Sequence, residues 1–229
     1  MRRLFGGGGL LGPQWWVGVL DPKWWVRRAW TLYGLGLEYR YLGRLIGFRD
    51  LPTRFPEQGA NFTQNIPYVS LARLSEQVRV SPDDVLVDVG CGLGRVILWW
   101  LHTTGGHGRI VGLELDPEIG ERTRGLFMRY PNVSIITGSA VDVVPPTATL
   151  LYLFNPFNEE VLARFNDRVK EIRAGQRTRI VYVNACHVGV FEADPSWDVR
   201  CLDYDLFQTY LMTLRSPEDR EVAVQNPRQ

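Results

Sequence analysis

Cysteine and histidine are both scarce in this chain, with three of each among 229 residues. Cys91, Cys186 and Cys201 are too few, and odd in number, for a disulfide framework; they fit a reducing compartment. So sparse a set of thiols and imidazoles gives no zinc-binding cluster, and no metal is expected. An excess of one charge is missing too, since 26 Lys and Arg stand against 25 Asp and Glu. That balance leaves no electrostatic footprint for nucleic acid, which is not expected as a partner. No apolar run reaches the roughly eighteen residues that a membrane-spanning helix needs. Arg2 and Arg3 precede a short apolar run, but Pro13 interrupts it and no small-residue cleavage site follows. A cytoplasmic location is the expectation.

What the chain has in excess is tryptophan. Five of its eight tryptophans, Trp15, Trp16, Trp24, Trp25 and Trp30, fall within the first thirty residues. The same region is basic: residues 1–60 carry nine Lys and Arg against four Asp and Glu, whereas residues 61–229 carry 17 against 21. The chain therefore divides into a Trp-rich basic helical extension over 1–60, a body over 61–216 and a flexible polar tail over 217–229. Residues 1–12 read as mobile, since Gly6 to Gly9 follow one another. Residues 23–47 repeat Trp25, Ala29, Leu32, Leu35, Tyr41 and Leu45 near helical spacing, with a break expected at Gly34. Residues 48–66, punctuated by Pro52, Pro56 and Gly59, read as a linker or a loop over the body. Pro67 then opens a helix through Leu71 and Leu74.

From residue 85 onward strands alternate with helices. Apolar runs at 85–89, 109–114, 133–137, 149–154 and 179–184 read as strands, and 94–103, 118–129 and 158–173 as helices. Residues 198–204 and 209–215 read as a closing pair of strands. The fold class is α/β, a Rossmann-like, doubly wound, mostly parallel sheet of seven strands with a helical N-terminal extension.

Between the first strand and its helix stands Asp88-Val89-Gly90-Cys91-Gly92-Leu93-Gly94-Arg95. Gly90 and Gly92 allow a tight turn and close approach of a ligand, and Gly94 a close helix–strand contact. No Gly-Lys-Ser/Thr ending follows, which argues against a Walker phosphate loop. Asp88 would repel a pyrophosphate and attract an ammonium group, which favours S-adenosylmethionine over NAD. Hydride transfer with NAD is the weaker alternative. Glu114, twenty residues past Gly94 at the end of the second strand, suits the two hydroxyls of a ribose. Ser139 and the backbone at Ala140, just after the third strand, are candidates for an adenine edge. Asp142 reads equally well as a contact, a cap or an exposed carboxylate. Cys91 reads as a small buried side chain within the loop. Arg95 reads either as a clamp for a ligand carboxylate or as a brace for the loop.

On these motifs, residues 65–184 resemble the class I S-adenosylmethionine-dependent methyltransferases. VDVGCGLGR is similar to the first motif of that family, VGLELDP to its acidic second-strand motif and GSAVDV to its adenine-edge segment. The family often carries an acidic residue where this chain has Ser139. The resemblance implies S-adenosylmethionine as cofactor, with Tyr68 and Asn65 in the region that folds over its methionine end. Leu153-Phe154-Asn155-Pro156-Phe157-Asn158 resembles the Asn-Pro-Pro-aromatic signature of amino-group methyltransferases, with Phe157 replacing the second proline. DVLVDVGCGLGRV followed by FNPF is similar to small bacterial relatives of the DOT1-type lysine methyltransferases.

The chemistry implied is a direct in-line displacement, which needs alignment more than a metal or a strong base. Asn155 could accept a hydrogen bond from an amine, Pro156 stiffen the turn, and Phe157 wall the sulfonium with a cation–π benefit of about 0.5–2 kcal/mol. The same segment also reads as a helix start, with Asn155 as cap and Pro156 at the first helical position. His187, near Asn184 after the fifth strand, is the candidate base if the acceptor is a hydroxyl. Asp203 and Tyr204 are further candidates.

The leading expectation is methyl transfer to a small molecule at nitrogen. The alternatives are a protein-lysine or other macromolecular methyltransferase, an O-methyltransferase using His187, and a non-catalytic nucleoside-binding scaffold. For the extension four readings stand: a lid on the acceptor pocket, a homodimer interface, a peripheral membrane contact, or plain core packing.

Overall fold

The computed structural model describes residues 22–46, 52–173, 176–202 and 206–216. Its strands are β1 Val85–Val89, β2 Arg109–Glu114, β3 Val133–Thr137, β4 Leu150–Phe154, β5 Arg179–Val183, β6 Trp197–Leu202 and β7 Thr209–Leu214. They form one seven-stranded sheet in the order β3-β2-β1-β4-β5-β7-β6. β1 to β5 are parallel, and β7 is antiparallel to both of its neighbours. The helices are α1 Pro22–Leu42, α2 Tyr68–Gln77, α3 Arg95–Thr103, α4 Pro117–Phe127, α5 Ala140–Val143, α6 Glu159–Ile172 and α7 Gly189–Glu192. The doubly wound sheet expected from the sequence is therefore present. Strand order reverses between β1 and β4, which opens a crevice at the carboxyl ends of those two strands. Asp88 lies near the end of β1 and Asn155 directly follows β4, so the topology sets the two at the lips of that crevice.

The extension departs from the sequence reading. α1 runs unbroken through Gly34 and Gly36. A Cβ at Gly34 would lie 2.1 Å from Cδ2 of Tyr68, so only glycine lets α1 approach α2 this closely. Glycine costs roughly 1 kcal/mol of helix propensity, but the packing it permits holds the helix together. α3 shows the consequence. Its residues Arg95 to Leu101 are all buried, because the sheet covers one side and α1 with α2 cover the other. Trp99 Nε1 donates to Ser75 Oγ at 2.8 Å, while Tyr33 Oη and Tyr41 Oη reach the His102 ring at 2.7 and 3.3 Å. A helix apolar all round is stable only when enclosed in this way. The described part of the 1–60 segment is thus built into the same packed body as the sheet.

One buried carboxylate fastens that packing. Glu38 in α1 has no exposed surface. It accepts hydrogen bonds from the Ile46 backbone N–H at 2.8 Å, Tyr68 Oη at 3.1 Å and the Arg95 guanidinium at 3.3 Å. Nothing in the sequence marked Glu38, because an isolated acid on a helix is normally solvated. Glu38→Ala would leave the Arg95 guanidinium, itself 5% exposed, without its counter-charge. Breaking a buried pair from one side costs about 3–5 kcal/mol. Urea unfolding of this variant is expected to show a loss of that size, with Glu38→Gln milder because it keeps the acceptor oxygen.

Candidate active site

The glycine loop turns through three left-handed residues, Gly90 (φ 75°), Gly92 (φ 51°) and Gly94 (φ 80°). Gly94 caps α3, and a Cβ there would lie 2.4 Å from the Phe127 ring of α4. The loop is fixed from both sides. Gly90 and Cys91 donate their backbone N–H groups to the Leu113 carbonyl at 2.9 Å each, and Thr123 Oγ1 donates to the Gly92 carbonyl at 2.6 Å.

Two carboxylates sit behind this loop. Glu114, 7% exposed, accepts from the backbone N–H of Gly92 at 2.8 Å and of Asp116 at 3.0 Å, so it ties the loop to the end of β2. Each of its oxygens keeps a lone pair for a further donor. Burial pushes its carboxyl above the usual range, against the pull of those N–H bonds. Asp88 is 3% exposed, and its Oδ2 has no hydrogen-bond partner. Burial, and next the charge of Glu114, push Asp88 well above the ordinary carboxylate range. A buried carboxylate oxygen without a donor is costly. It is what a cationic ligand group would satisfy.

A cavity of about 440 Å³ lies beside the loop, lined among others by Gly90, Glu114, Ser139, Ala140, Pro156 and Phe157. All six were expected from the sequence. Behind them, a smaller hollow of about 30 Å³ is lined by Asp88, Cys91, Gly92, Arg95 and Asn65. Gly90 and Phe154 border both spaces. The acidic set thus fits the ligand that the sequence implies: Asp88 for an ammonium group, Glu114 for ribose hydroxyls, and the Gly138–Ala140 turn for a base edge. Cys91 is buried, its thiol pushed up chiefly by burial, in keeping with a packing role.

Four expected residues stand elsewhere or act differently. Tyr68 belongs to the Glu38–Arg95 cluster, its Oη spent on Glu38 and the Arg95 guanidinium 5.2 Å from its ring centroid. Arg95 lines the smaller hollow, and it bonds away from the glycine loop, to Glu38 and the Ile66 carbonyl at 3.3 Å each. Neither Asn155 nor His187 lines either space; Nδ1 of His187 lies 3.9 Å from Oε2 of Glu159. Asp203 and Tyr204, like residues 1–21 and 217–229, lie outside the described residues.

The Asn-Pro-Phe turn is not a helix start. α6 begins at Glu159 and its cap is Asn158, whose side chain accepts from Val161 N–H at 3.0 Å. Asn155 is left-handed (φ 42°), a conformation asparagine tolerates better than most residues. Its Oδ1 accepts from Tyr182 Oη at 3.0 Å, and its Nδ2 points at Cys186 Sγ at 3.5 Å. Phe157 packs on Phe165 with centroids 5.5 Å apart.

A strap over residues 52–64, read from the sequence as a linker or covering loop, crosses this crevice. Asn61 donates its Nδ2 to the carbonyls of Asn155 at 2.9 Å and Phe157 at 3.0 Å. Its backbone N–H donates to Pro156 O at 3.0 Å, and Asn158 N–H donates to Gly59 O at 2.8 Å. At the other end Arg54 pairs with Asp116 and Glu118. The Arg54 hydrogen bonds hold the Asp116 carboxyl below its usual range. The strap rather than α1 therefore walls the cavity. Asn61, Arg54 and Tyr182 had no motif to betray them.

No family model matches the chain. A protein-lysine N-methyltransferase of Saccharolobus islandicus is 28% identical over 127 residues, which is 51% of this chain and 76% of that protein. Among solved structures, an RNA methyltransferase of Salinibacter ruber in complex with S-adenosyl-L-homocysteine is 23% identical with a TM-score of 0.51, covering 68% of this chain and 97% of that one. A methyltransferase of Pyrococcus furiosus is 14% identical with a TM-score of 0.56, covering 83% and 98%. The fold that these structures share is the one described above.

Proposed function

We propose that this class I S-adenosylmethionine-dependent methyltransferase methylates an amine nitrogen, with a lysine side chain of a protein as the favoured acceptor. The observation that carries the nitrogen reading is Asn155. Its carboxamide is held by Tyr182 and its carbonyl by Asn61, between Phe154, which borders both of the spaces that Glu114 and Asp88 line, and Pro156, which borders the larger. The Saccharolobus islandicus relative named as a protein-lysine N-methyltransferase supports the choice of lysine.

When bound, the cofactor supplies a methyl group already activated on a sulfonium. The chain then has to hold and align. Asp88 answers the ammonium group and Glu114 the ribose. The loop glycines let the backbone come close. Asn155 Oδ1, with a lone pair beyond the Tyr182 bond, accepts an N–H of the incoming amine and aims the nitrogen lone pair. Pro156 and the strap keep that acceptor from drifting, because alignment is where most of the acceleration of such a displacement arises. An amine that arrives neutral leaves its proton to solvent, so no side-chain base is required.

A small free amine is the second reading, and it was the leading one from sequence. It is favoured by the strap, which crosses the crevice at the Asn155 turn and narrows the approach of a bulky acceptor. Incubation with methyl-labelled S-adenosylmethionine, offered separately lysine-containing proteins and a set of small amines, tests both. Methyl-lysine in the protein hydrolysate is the expected product. Label only in small amines would favour the second reading, and label only on oxygen would overturn the nitrogen assignment.

A further inference from the structure

α1 has two faces, and the catalytic reading uses neither. One face turns Gly34, Leu37 and Glu38 into the body, all of them buried. On the other, Trp25, Ala29, Leu32, Gly36 and Tyr39 follow at i, i+4, i+7, i+11 and i+14, which is a single stripe of a helix. All five are exposed, with Trp25 at 56%, Leu32 at 68% and Tyr39 at 70%. Ala29 and Gly36 between the large side chains keep the stripe shallow; a Cβ at Gly36 would meet nothing within 4 Å.

The charges beside the stripe are of one sign. Arg28 and Arg40 flank it, and Arg44 follows the helix end, all exposed. Arg129, exposed beside α1, donates to the Arg40 carbonyl at 3.5 Å, and its neighbour Met128 is 83% exposed. The one acid of α1 is Glu38, which is fully buried and bonded inward. The outer face therefore offers apolar and aromatic surface ringed by arginine, with no carboxylate from the helix itself.

We propose that this face docks α1 on an anionic lipid surface, lying along the headgroup plane. Trp and Tyr beside an apolar strip, with Arg at its margins, is the chemistry of a helix that rests in an interface. α1 is not long and apolar enough to cross a membrane, which agrees with resting on it. A second copy of the chain fits less well. Two-fold pairing would bring Arg28 and Arg40 of both copies together with no acid on the face to answer them. The proposal does not depend on which acceptor is methylated.

The test is flotation of the full chain with phosphatidylcholine vesicles, with and without phosphatidylglycerol. Binding is expected only where phosphatidylglycerol is present, and it should fall as salt rises. Arg28→Gln with Arg40→Gln should lower partitioning about fivefold per arginine. Trp25→Ser with Leu32→Ser and Tyr39→Ser should abolish it. Both sets touch exposed side chains, so unchanged thermal melting is the check that the variants fold. Failure to bind phosphatidylglycerol vesicles would overturn the proposal, as would binding that neither set weakens. A vesicle-independent dimer that both sets dissociate would assign the face to a second copy instead. Binding confined to acidic proteins would assign it to a protein partner.

Discussion

Asp88→Asn is expected to make the ligand-free protein more stable and to weaken S-adenosylhomocysteine binding at least 30-fold. The two effects have one cause. Asp88 is buried with an oxygen that nothing in the protein bonds, so the ionised form burdens the folded chain with a cost that a cationic ligand, or a proton, relieves. Removing one partner of a buried charge pair typically costs about 2–5 kcal/mol of binding, and about 2 kcal/mol already exceeds 30-fold. The sign of the pH dependence follows. Burial and Glu114 raise the folded carboxyl above its unfolded value. Between the two values the folded chain holds more protons than the unfolded one, so the Asp88 contribution to stability falls as pH rises through that window. Affinity moves the other way, because the ammonium group is answered by the ionised form. Asparagine flattens both slopes. Calorimetric titration with S-adenosylhomocysteine and thermal melting, each across the acidic to neutral range, read both. Unchanged affinity would remove Asp88 from the site.

This behaviour was legible in advance because it is local. The glycine loop, the acid before it and Glu114 at the end of β2 lie within 27 residues, and strand–turn–helix order alone arranges them. β1, β2 and β3 were read to the residue, since each is a short apolar run bounded by turn residues. What was not legible depends on distant partners. Gly34 reads as a helix breaker until Tyr68 is seen against it. Glu38 reads as a surface acid until Arg95, 57 positions later, is seen to bond it. Asn155 reads as the helix cap from its place before Pro156, and only the path of the chain after β4 gives that role to Asn158. The strap is the strongest case. Asn61 reaches Asn155 across 94 positions, and no periodicity or spacing rule carries that information. Among the described residues, the segment that walls the cavity is 52–64, read from the sequence as a linker or a loop over the body, and not α1.

Asn155→Gly should lower turnover about 100-fold, the scale of a misplaced reacting group, while S-adenosylhomocysteine affinity changes only a few-fold. Glycine is the informative substitution here. It accepts the left-handed backbone at φ 42° without strain, so the turn survives and only the carboxamide is lost. Tyr182 is fully buried, so its hydroxyl, losing this acceptor, should also lower stability by about 1–3 kcal/mol. Asn61→Ala separates holding from contact. It removes the two Nδ2 hydrogen bonds to the carbonyls of Asn155 and Phe157 but leaves the Asn155 carboxamide in place. Its loss should be smaller and should divide between the acceptor KM and kcat, since the turn is loosened rather than stripped. Asn61→Asp cannot donate to either carbonyl, and it places a carboxylate against them, so it should be no better than alanine. Steady-state kinetics on one acceptor, with cofactor affinity measured separately, distinguish these outcomes. Full activity in Asn155→Gly would take the carboxamide out of the reaction. Equal losses in turnover and cofactor affinity would show that the turn holds the cofactor site together rather than the amine.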